Sequence, residues 1–242
     1  MLPSDGSTDS SRVCFFPILE FPDESPALSE VEVPARIVRV APDRLDGWLD
    51  RFAERHGAVE VGLDQSTVRV QAADGATAVI TIPFPPLAES GGALLSLVRH
   101  AQLDRQTGAV LVRRGGWAVG TFVGSQLIDS KVGRPYVQGQ TKAGGWSQQR
   151  YARRRGQQAT QAYAATADAV ARILLPRLTD LEAVVAGGDR AGIDAVLADA
   201  RLRPVRDKLT GPVLPTPDPR LRVLQALPDQ FRAVTITLNE LA

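Results

Sequence analysis

The stretch GAVLVRRGGWAVGTFVGSQLIDSKV (108–132) contains three β-rich segments, GAVLVRR, GWAVGTFVG and SQLIDSKV. Arg-Gly-Gly and Gly-Ser separate them, and glycine-containing turns of this kind join neighbouring strands. Valine, isoleucine and the aromatic residues fit the pleated surface of a sheet. The stretch therefore predicts an antiparallel meander.

A long helix is predicted after the meander, from about Ser147 to Leu175. Ser147 is an acceptable N-cap, and Pro176 cannot continue a helix. The later half carries apolar residues at helical spacing and should pack on the sheet, whereas the first half carries mainly arginine and glutamine. The predicted elements that follow are a strand LEAVVAGG (181–188), a helix DRAGIDAVLA (189–198), a loop PTPDPR (215–220), a short helix 221–227 and a strand RAVTITL (232–238).

The first part of the chain predicts a smaller α/β unit. Its predicted elements are a strand RIVRVA (36–41), a helix APDRLDGWLDRFAERHG (41–57), three strands VEVGL (59–63), TVRVQA (67–72) and ATAVITI (76–82), and a helix through 94–98. Asp74-Gly75 is a hairpin-turn signal between the last two strands. We therefore predict a flexible segment 1–30, a small α/β domain 31–104 and a second domain 105–242, with an α/β fold overall.

Composition excludes several functional classes. The chain has 242 residues, of which 44% are apolar and 23% charged, and this suits one large domain or two small ones. No segment approaches the roughly 20 apolar residues of a membrane span, so we expect a cytosolic protein without membrane contact. The single cysteine, Cys14, excludes an internal disulfide, and with two distant histidines it argues against a metal site.

Positive charge is concentrated in one segment. Residues 130–167 contain seven lysines and arginines and no acidic residue. Because the whole chain carries +1, the other residues together carry +1 minus +7, or −6. The segment KAGGWSQQRYARRRGQQ (142–158) is the centre of this charge, and such a local concentration indicates a polyanionic partner.

The residue types of this segment suit single-stranded RNA. Two glycines before a helix start allow close backbone approach to an anion, although the spacing is not that of a nucleotide-binding loop. Arginine binds phosphate, aromatic rings stack on bases, and Arg150, Arg153 and Arg154 should share one helix face. The candidate RNA-binding residues are Lys142, Trp146, Arg150, Tyr151, Arg153 and Arg154. The alternative is a solvated helix end after a flexible loop.

The segment GGWSQQRYARRR (144–155) resembles GGQSALRFARLR of the eukaryotic and archaeal class-1 peptide-chain release factors, aligned without a gap. The resemblance extends in the same order to GWAVGTFVGSQLIDS (116–130), LEAVVAGGD (181–189) and DPRL (218–221), and covers roughly residues 105–242. Overall, the chain most resembles the actinobacterial branch of the Vms-like release factors.

This resemblance implies a mixed-sheet, release-factor-like catalytic domain and a peptidyl-tRNA hydrolase of ribosome rescue and quality control. The implied partners are the ribosome or its large subunit and peptidyl-tRNA; no cofactor is implied, and we expect a monomer. The implied catalytic residues are Gly144, Gly145 and a glutamine that positions water at the ester, while the substrate's own 2′-hydroxyl and the ribosome transfer protons. Trp146 stands where the release factors have that glutamine.

Three other glutamines are therefore candidates: Gln148, Gln149 and Gln140. Gln148 is preferred, because Ser147-Gln148 resembles the Ser-Gln of the eukaryotic Vms-like members. A first alternative is a non-catalytic ribosome- or tRNA-binding factor of the same fold, which Trp146 favours. A second is a nuclease, but Asp129 is the only nearby carboxylate and a paired set for Mg²⁺ is missing.

Overall fold

A computed structural model describes residues 36–88, 90–114, 116–134 and 148–242, with side chains in the last range from Gln161 onward. The predicted flexible segment 1–30 lies outside the described residues, as do the Gly144-Gly145 pair and its neighbours up to Ser147.

The described part of the chain contains groups of consecutive strands separated by helices. Its strands are β1 (Arg36–Val40), β2 (Val59–Leu63), β3 (Thr67–Ala72), β4 (Thr77–Thr81), β5 (Gln106–Arg113), β6 (Gly116–Val123), β7 (Gln126–Gly133), β8 (Ala183–Gly188) and β9 (Val234–Leu238). Its α-helices are α1 (Leu45–His56), α2 (Ala93–Gln102), α3 (Gln148–Leu174), α4 (Arg190–Leu197), α5 (Arg203–Asp207), α6 (Leu221–Gln225) and α7 (Pro228–Phe231). Three-residue 3-10 helices occupy Pro42–Arg44, Leu175–Arg177 and Ala200–Leu202.

The first sheet has the strand order β1-β9-β4-β3-β2, and all its pairs are antiparallel. Buried and exposed residues alternate along its strands. In β3, Val68 and Val70 are buried, whereas Arg69 between them is exposed. Successive side chains of a strand point to opposite faces, so the apolar set meets the buried faces of α1 and α2. Arg69 marks the outer face of this sheet.

The predicted Asp74-Gly75 hairpin is confirmed. Gly75 has φ +90°, a conformation that glycine adopts without steric penalty. Asp74 Oδ1 accepts a hydrogen bond from the backbone N–H of Ala76 at 2.9 Å. These local interactions set the register in which Val70 faces Ala78.

The second sheet has the order β7-β6-β5-β8 and is mixed. β5, β6 and β7 form the predicted antiparallel meander, whereas β8 runs parallel to β5. One face packs on α3, α4 and α5 through residues such as Val110, Val119 and Ile193. The other face packs on α6 and α7, with Phe122 and Leu224 buried between them. The mixed α/β fold predicted from the sequence is confirmed.

The final strand, β9, belongs to the first sheet. It pairs with β1 on one side and β4 on the other, although its residues lie more than 150 positions from β4. The strand itself was predicted, but its place was not, because sequence alternation does not specify a partner. Residues on both sides of the domain boundary predicted near residue 104 therefore build this sheet.

The chain passes from the first sheet to the second at Arg105, which is buried. Its guanidinium donates a hydrogen bond to the carbonyl of His100 in α2 at 2.7 Å and lies 3.5 Å from the Glu182 carboxylate beside β8. Burial lowers the pKa of Arg105, since desolvation disfavours the charged form. Arg105 thus ties α2 to the second sheet.

The long helix α3 starts and stops within one residue of the prediction. It begins at Gln148 and ends at Leu174, where the 3-10 turn containing Pro176 takes over. Ala167, Val170 and Leu174 of its later half are buried, as their spacing predicts. Among the described residues, no helix combines the length and the apolar character needed to cross a membrane.

Candidate nucleic-acid interface

Strand β7, which precedes the basic segment in the chain, ends at one edge of the second sheet. β5 and β7 are both antiparallel to β6, and β8 is parallel to β5, so these three strands end on the same side. We call this side the carboxyl edge; it is formed by Arg113, Gly133 and Gly188 at the strand ends. The chain leaves the sheet at this edge after Gly133 and is next described at Gln148.

Helix α3 runs antiparallel to β5, so its N-terminal part lies toward the carboxyl edge. Near the start of β5, a Cβ placed on Gly108 would lie 3.3 Å from Leu174 Cδ2. Near the end of β5, a Cβ on Gly192 would lie 2.9 Å from Val112 Cγ1 and 3.5 Å from Tyr163 Cε1. Leu174 therefore lies beside the beginning of β5, and Tyr163 lies close to its end.

The helix is longer than the sheet that supports it. The 15 residues that precede Tyr163 in α3 span about 22 Å at the rise of an α-helix. Gln148, Gln149, Arg150, Tyr151, Arg153 and Arg154 all belong to this part, where the structure describes the helical backbone. Lys142, Gly144, Gly145 and Trp146 lie outside the described residues. The candidate residues of α3 thus belong to a helical extension beyond the carboxyl edge.

The point where the chain leaves β7 is closely packed. A Cβ on Gly133 would overlap Cε2 and Cζ2 of the Trp117 indole and would lie 2.7 Å from its Nε1. Trp117 is only 8% exposed and belongs to the core. The absence of a side chain at Gly133 allows the indole to lie directly against the backbone at the end of β7.

The loop that contains Asp218, Pro219 and Arg220 meets this exit point. A Cβ on Gly116 would lie 2.8 Å from the Gly133 carbonyl oxygen and 3.5 Å from that of Pro219. The turn before β6, the end of β7 and this loop therefore converge. The sequence resemblance singled out DPRL without indicating that it would lie here.

The carboxyl edge carries positive charge from separate parts of the chain. Its exposed charged residues, among the described ones, include Arg113, Arg114, Arg134, Arg190 and Arg220, together with Asp189 and Asp218. Arg113 is held in place, since its Nη1 donates a hydrogen bond to the Thr216 carbonyl at 2.6 Å. Sequence reasoning did not select Arg113, Arg114 or Arg220, because each lies outside the basic segment and only the topology brings it to the same edge.

The described residues offer cationic and hydrogen-bonding groups rather than a metal centre. No three His, Cys, Asp or Glu side chains come together within the part of the chain that the structure describes. Asp129 of β7 is exposed and pairs by register with Thr121. Exposed arginines of this kind are suited to phosphate groups.

A clamp of charged residues joins the later half of α3 to the turn that follows α4. The Arg201 guanidinium lies 2.8 Å from Asp168 of α3 and 2.6 Å from Asp199. Hydrogen bonds from the side chain and the backbone N–H of Arg201 lower the pKa of Asp199 to about 2. The clamp is exposed, so it adds modestly to the apolar packing that holds this half of α3 against the sheet.

Comparison with known proteins matches most of the second half of the chain to one protein family. Residues 105–237 match the family described as Actinobacteria/chloroflexi VLRF1 release factor. A comparison with curated proteins returns no match.

Among solved structures, the chain is similar to an archaeal translation termination factor, aRF1. The identity is 12% and the TM-score 0.41, over 83% of this chain and 68% of that one. It is also similar to S. cerevisiae Dom34, described as a translation termination-like factor involved in RNA quality control pathways and interacting with Hbs1. There the identity is 9% and the TM-score 0.34, over 80% of this chain and 63% of the other.

Proposed function

Since the chain belongs to the actinobacteria/chloroflexi VLRF1 release factor family, we propose that it is a peptidyl-tRNA hydrolase of ribosome rescue and quality control. It cleaves the ester between nascent peptide and tRNA on the ribosome or its large subunit. The observation that best supports this is the helical extension of α3, about 22 Å long, which carries the basic segment beyond the carboxyl edge. A projecting cationic element can enter a confined RNA site that a globular surface cannot reach.

The proposed chemistry needs few side chains. Gly144 and Gly145 let the backbone approach the ester, and Gln148 or Gln149 positions the attacking water. Positioning can contribute about 7–11 kcal/mol and one oxyanion donor about 3–4 kcal/mol. Together these contributions suffice without a histidine or cysteine nucleophile, because the 2′-hydroxyl of the tRNA ribose supplies the proton path.

The cationic residues serve to hold RNA. Arg150, Arg153 and Arg154 bind successive phosphates, with Lys142 before the glycines, and Trp146 and Tyr151 stack on unpaired bases. The arginines of the carboxyl edge add phosphate contacts at the base of the loop. The partners in this proposal are the ribosome or its large subunit and peptidyl-tRNA.

Release of labelled peptide from peptidyl-tRNA on ribosomes and on isolated large subunits tests it. The variants are the double change of Gly144 and Gly145 to Ala, and Gln148→Ala, Gln149→Ala and Gln140→Ala separately. We expect release to fall about 100-fold or more in the glycine variant and in one glutamine variant, since loss of one oxyanion donor has that effect. The control is Gln161→Ala, an exposed glutamine of the same helix, which should release peptide at the normal rate.

The second candidate function is a factor that occupies the same site without cleaving the ester. Trp146, at the position of the release-factor glutamine, favours it. In that case the normal protein binds ribosomes but releases no peptide above background. Normal release in the glycine variant would contradict the proposed loop mechanism.

A further inference from the structure

A cleft of about 280 Å³ lies between the outer face of the first sheet and the second half of the chain. Arg39, Thr81 and Thr235 line it from the first sheet, while Gln230 and Phe231 of α7 line it from the second half. The proposed hydrolysis uses none of these residues. Because β9 joins the two halves, the cleft is made by the tertiary structure rather than by any one sequence segment.

The strand register gives the cleft a continuous polar wall. Arg39 of β1 faces Thr235 of β9, and Thr235 faces Thr81 of β4. A guanidinium and two hydroxyls therefore lie side by side across three strands. Arg39 is exposed and makes no ion pair among the described residues. This guanidinium is available to an anionic group.

The opposite wall offers an amide acceptor without a partner. Gln230 Oε1 is buried and accepts no hydrogen bond from any described residue. Buried polar atoms in proteins are normally paired. Oε1 has almost no accessible surface, so a ligand donor reaches it when the Gln230 side chain turns toward the cleft that the residue lines. A planar amide next to such a cleft can pair with the edge of a nucleobase.

Aromatic residues close the cleft from the side. Phe84 lines it with Phe231, and the two rings lie 6.3 Å apart in an edge-to-face arrangement. Phe84 has φ +53°, which is rare for a residue with a side chain. Such left-handed residues occur at ligand-binding sites, where the surrounding packing holds them in place.

From these groups we infer that the cleft binds a single nucleotide unit. Its base lies against Phe84 and Phe231 with an amino group donating to Gln230, and its phosphate binds Arg39. The volume is slightly below the range of drug-sized ligand sites, so one nucleotide fits better than two. The unit comes either from a free mononucleotide or from one unstacked nucleotide of an RNA strand.

Calorimetric titration of the full chain tests this inference. The probes are AMP, GMP, CMP and UMP, and a single-stranded RNA hexamer. The variant Arg39→Gln removes the cation, and the matched control Arg69→Gln removes another exposed arginine of the same sheet face that does not line the cleft. We expect saturable binding that is about tenfold weaker in Arg39→Gln and unchanged in Arg69→Gln. Gln230→Leu should weaken the binding of nucleotides that carry an exocyclic amino group more than it weakens the binding of UMP.

The two sources give different results. Binding of mononucleotides identifies a free nucleotide as the ligand. Binding of the hexamer alone, with the same dependence on Arg39, identifies RNA as the ligand. No saturable binding of any probe overturns the inference, as does equal weakening by Arg39→Gln and Arg69→Gln. The double glycine variant of the loop should bind the probes normally, so failure of the hydrolysis proposal and failure of this one are distinguishable. Far-ultraviolet circular dichroism checks that each variant is folded.

Discussion

Gly133 occupies the position where the chain turns from the second sheet toward the basic segment. The Trp117 indole covers its backbone so closely that a Cβ would overlap two ring atoms. A buried tryptophan contributes a large apolar surface, and its contact with a glycine requires that no side chain intervene. At the scale of single residues, this contact packs the backbone at the end of β7 against the core.

We predict that Gly133→Ala destabilises the protein by about 1–3 kcal/mol, the usual cost of overpacking a core contact. Urea unfolding of the variant measures this loss.

The control is Gly62→Ala, also a strand glycine, where a Cβ would meet nothing within 4 Å. That change should alter the free energy of unfolding by less than about 0.5 kcal/mol. Equal effects of the two substitutions would show that Trp117 moves aside at no cost.

At the scale of elements, α3 combines an anchored half with a basic half. Its later half is buried against the second sheet and is clamped through Asp168 by Arg201. The earlier half carries Arg150, Arg153 and Arg154, whose spacing predicts one shared face. A helix that is rigidly held at one end can present phosphate-binding residues at the other.

For the clamp, we predict a pH-dependent loss of stability. The pKa of Asp199 is about 2 in the folded protein against an ordinary 3.8. Stabilisation by this carboxylate is therefore complete above about pH 4 and is lost as the pH falls through about 2. Arg201→Gln should remove this contribution, so the free energy of unfolding of the variant should fall less steeply than that of the normal protein between pH 4 and pH 2.

Urea unfolding at several pH values measures both curves. Arg190→Gln, which removes an arginine paired on α4 with Asp194 at 3.3 Å, controls for the loss of one positive charge. Parallel curves for Arg201→Gln and the normal protein would contradict the assigned role of Arg201.

For the basic half, we predict a change in the salt dependence of RNA binding. Changing Arg150, Arg153 and Arg154 together to Gln should reduce the slope of log K against log salt by about 0.7 for each lost phosphate contact on single-stranded RNA. Filter binding at a series of salt concentrations measures the slope. Arg172→Gln, an exposed arginine at the other end of α3, should leave it unchanged. A slope that stays the same in the triple variant would exclude these arginines from phosphate binding.

At the scale of the whole molecule, β9 makes the first sheet depend on the end of the chain. Val234 and Ile236 are completely buried, and Leu238 is nearly so. β9 is an interior strand, with β1 and β4 as its neighbours. Removing it would expose two strand edges and the apolar face beneath α1 and α2.

We predict that a chain ending at Arg232 cannot fold its first sheet. The three buried side chains of β9 contribute about 1.5–3 kcal/mol each, which together approaches the whole stability of an ordinary domain. Thermal unfolding should show the loss of the normal cooperative transition. A chain that ends at Asn239 keeps β9 and the hydrogen bond from the Thr77 N–H to the Asn239 side chain, and should unfold nearly normally. A normal transition in the shorter chain would show that β1 and β4 pair without β9.

The sequence indicates a candidate site through signals that are local. The charge of residues 130–167, the glycine pair and the helix stop at Pro176 are each visible within a short window. Arg113 and Arg220 could not be predicted, since they lie 107 positions apart and join the site only through the fold of the second sheet. Neither could the cleft beside Arg39, because it needs β9 to bring Thr235 next to Thr81.

The sequence by itself determined the strands and the longer helices, the meander of β5 to β7, the Asp74-Gly75 turn and the family resemblance, but it did not indicate α5 or α7. These depend on alternation, turn chemistry and helix-stop signals, which act between residues close together in the chain. Only the tertiary structure decided the partners of β9, the parallel pairing of β8 with β5, and the meeting of Pro219 with Gly116 and Gly133. Those choices depend on how much apolar surface each arrangement buries across the whole molecule, and that free energy is not contained in any single segment.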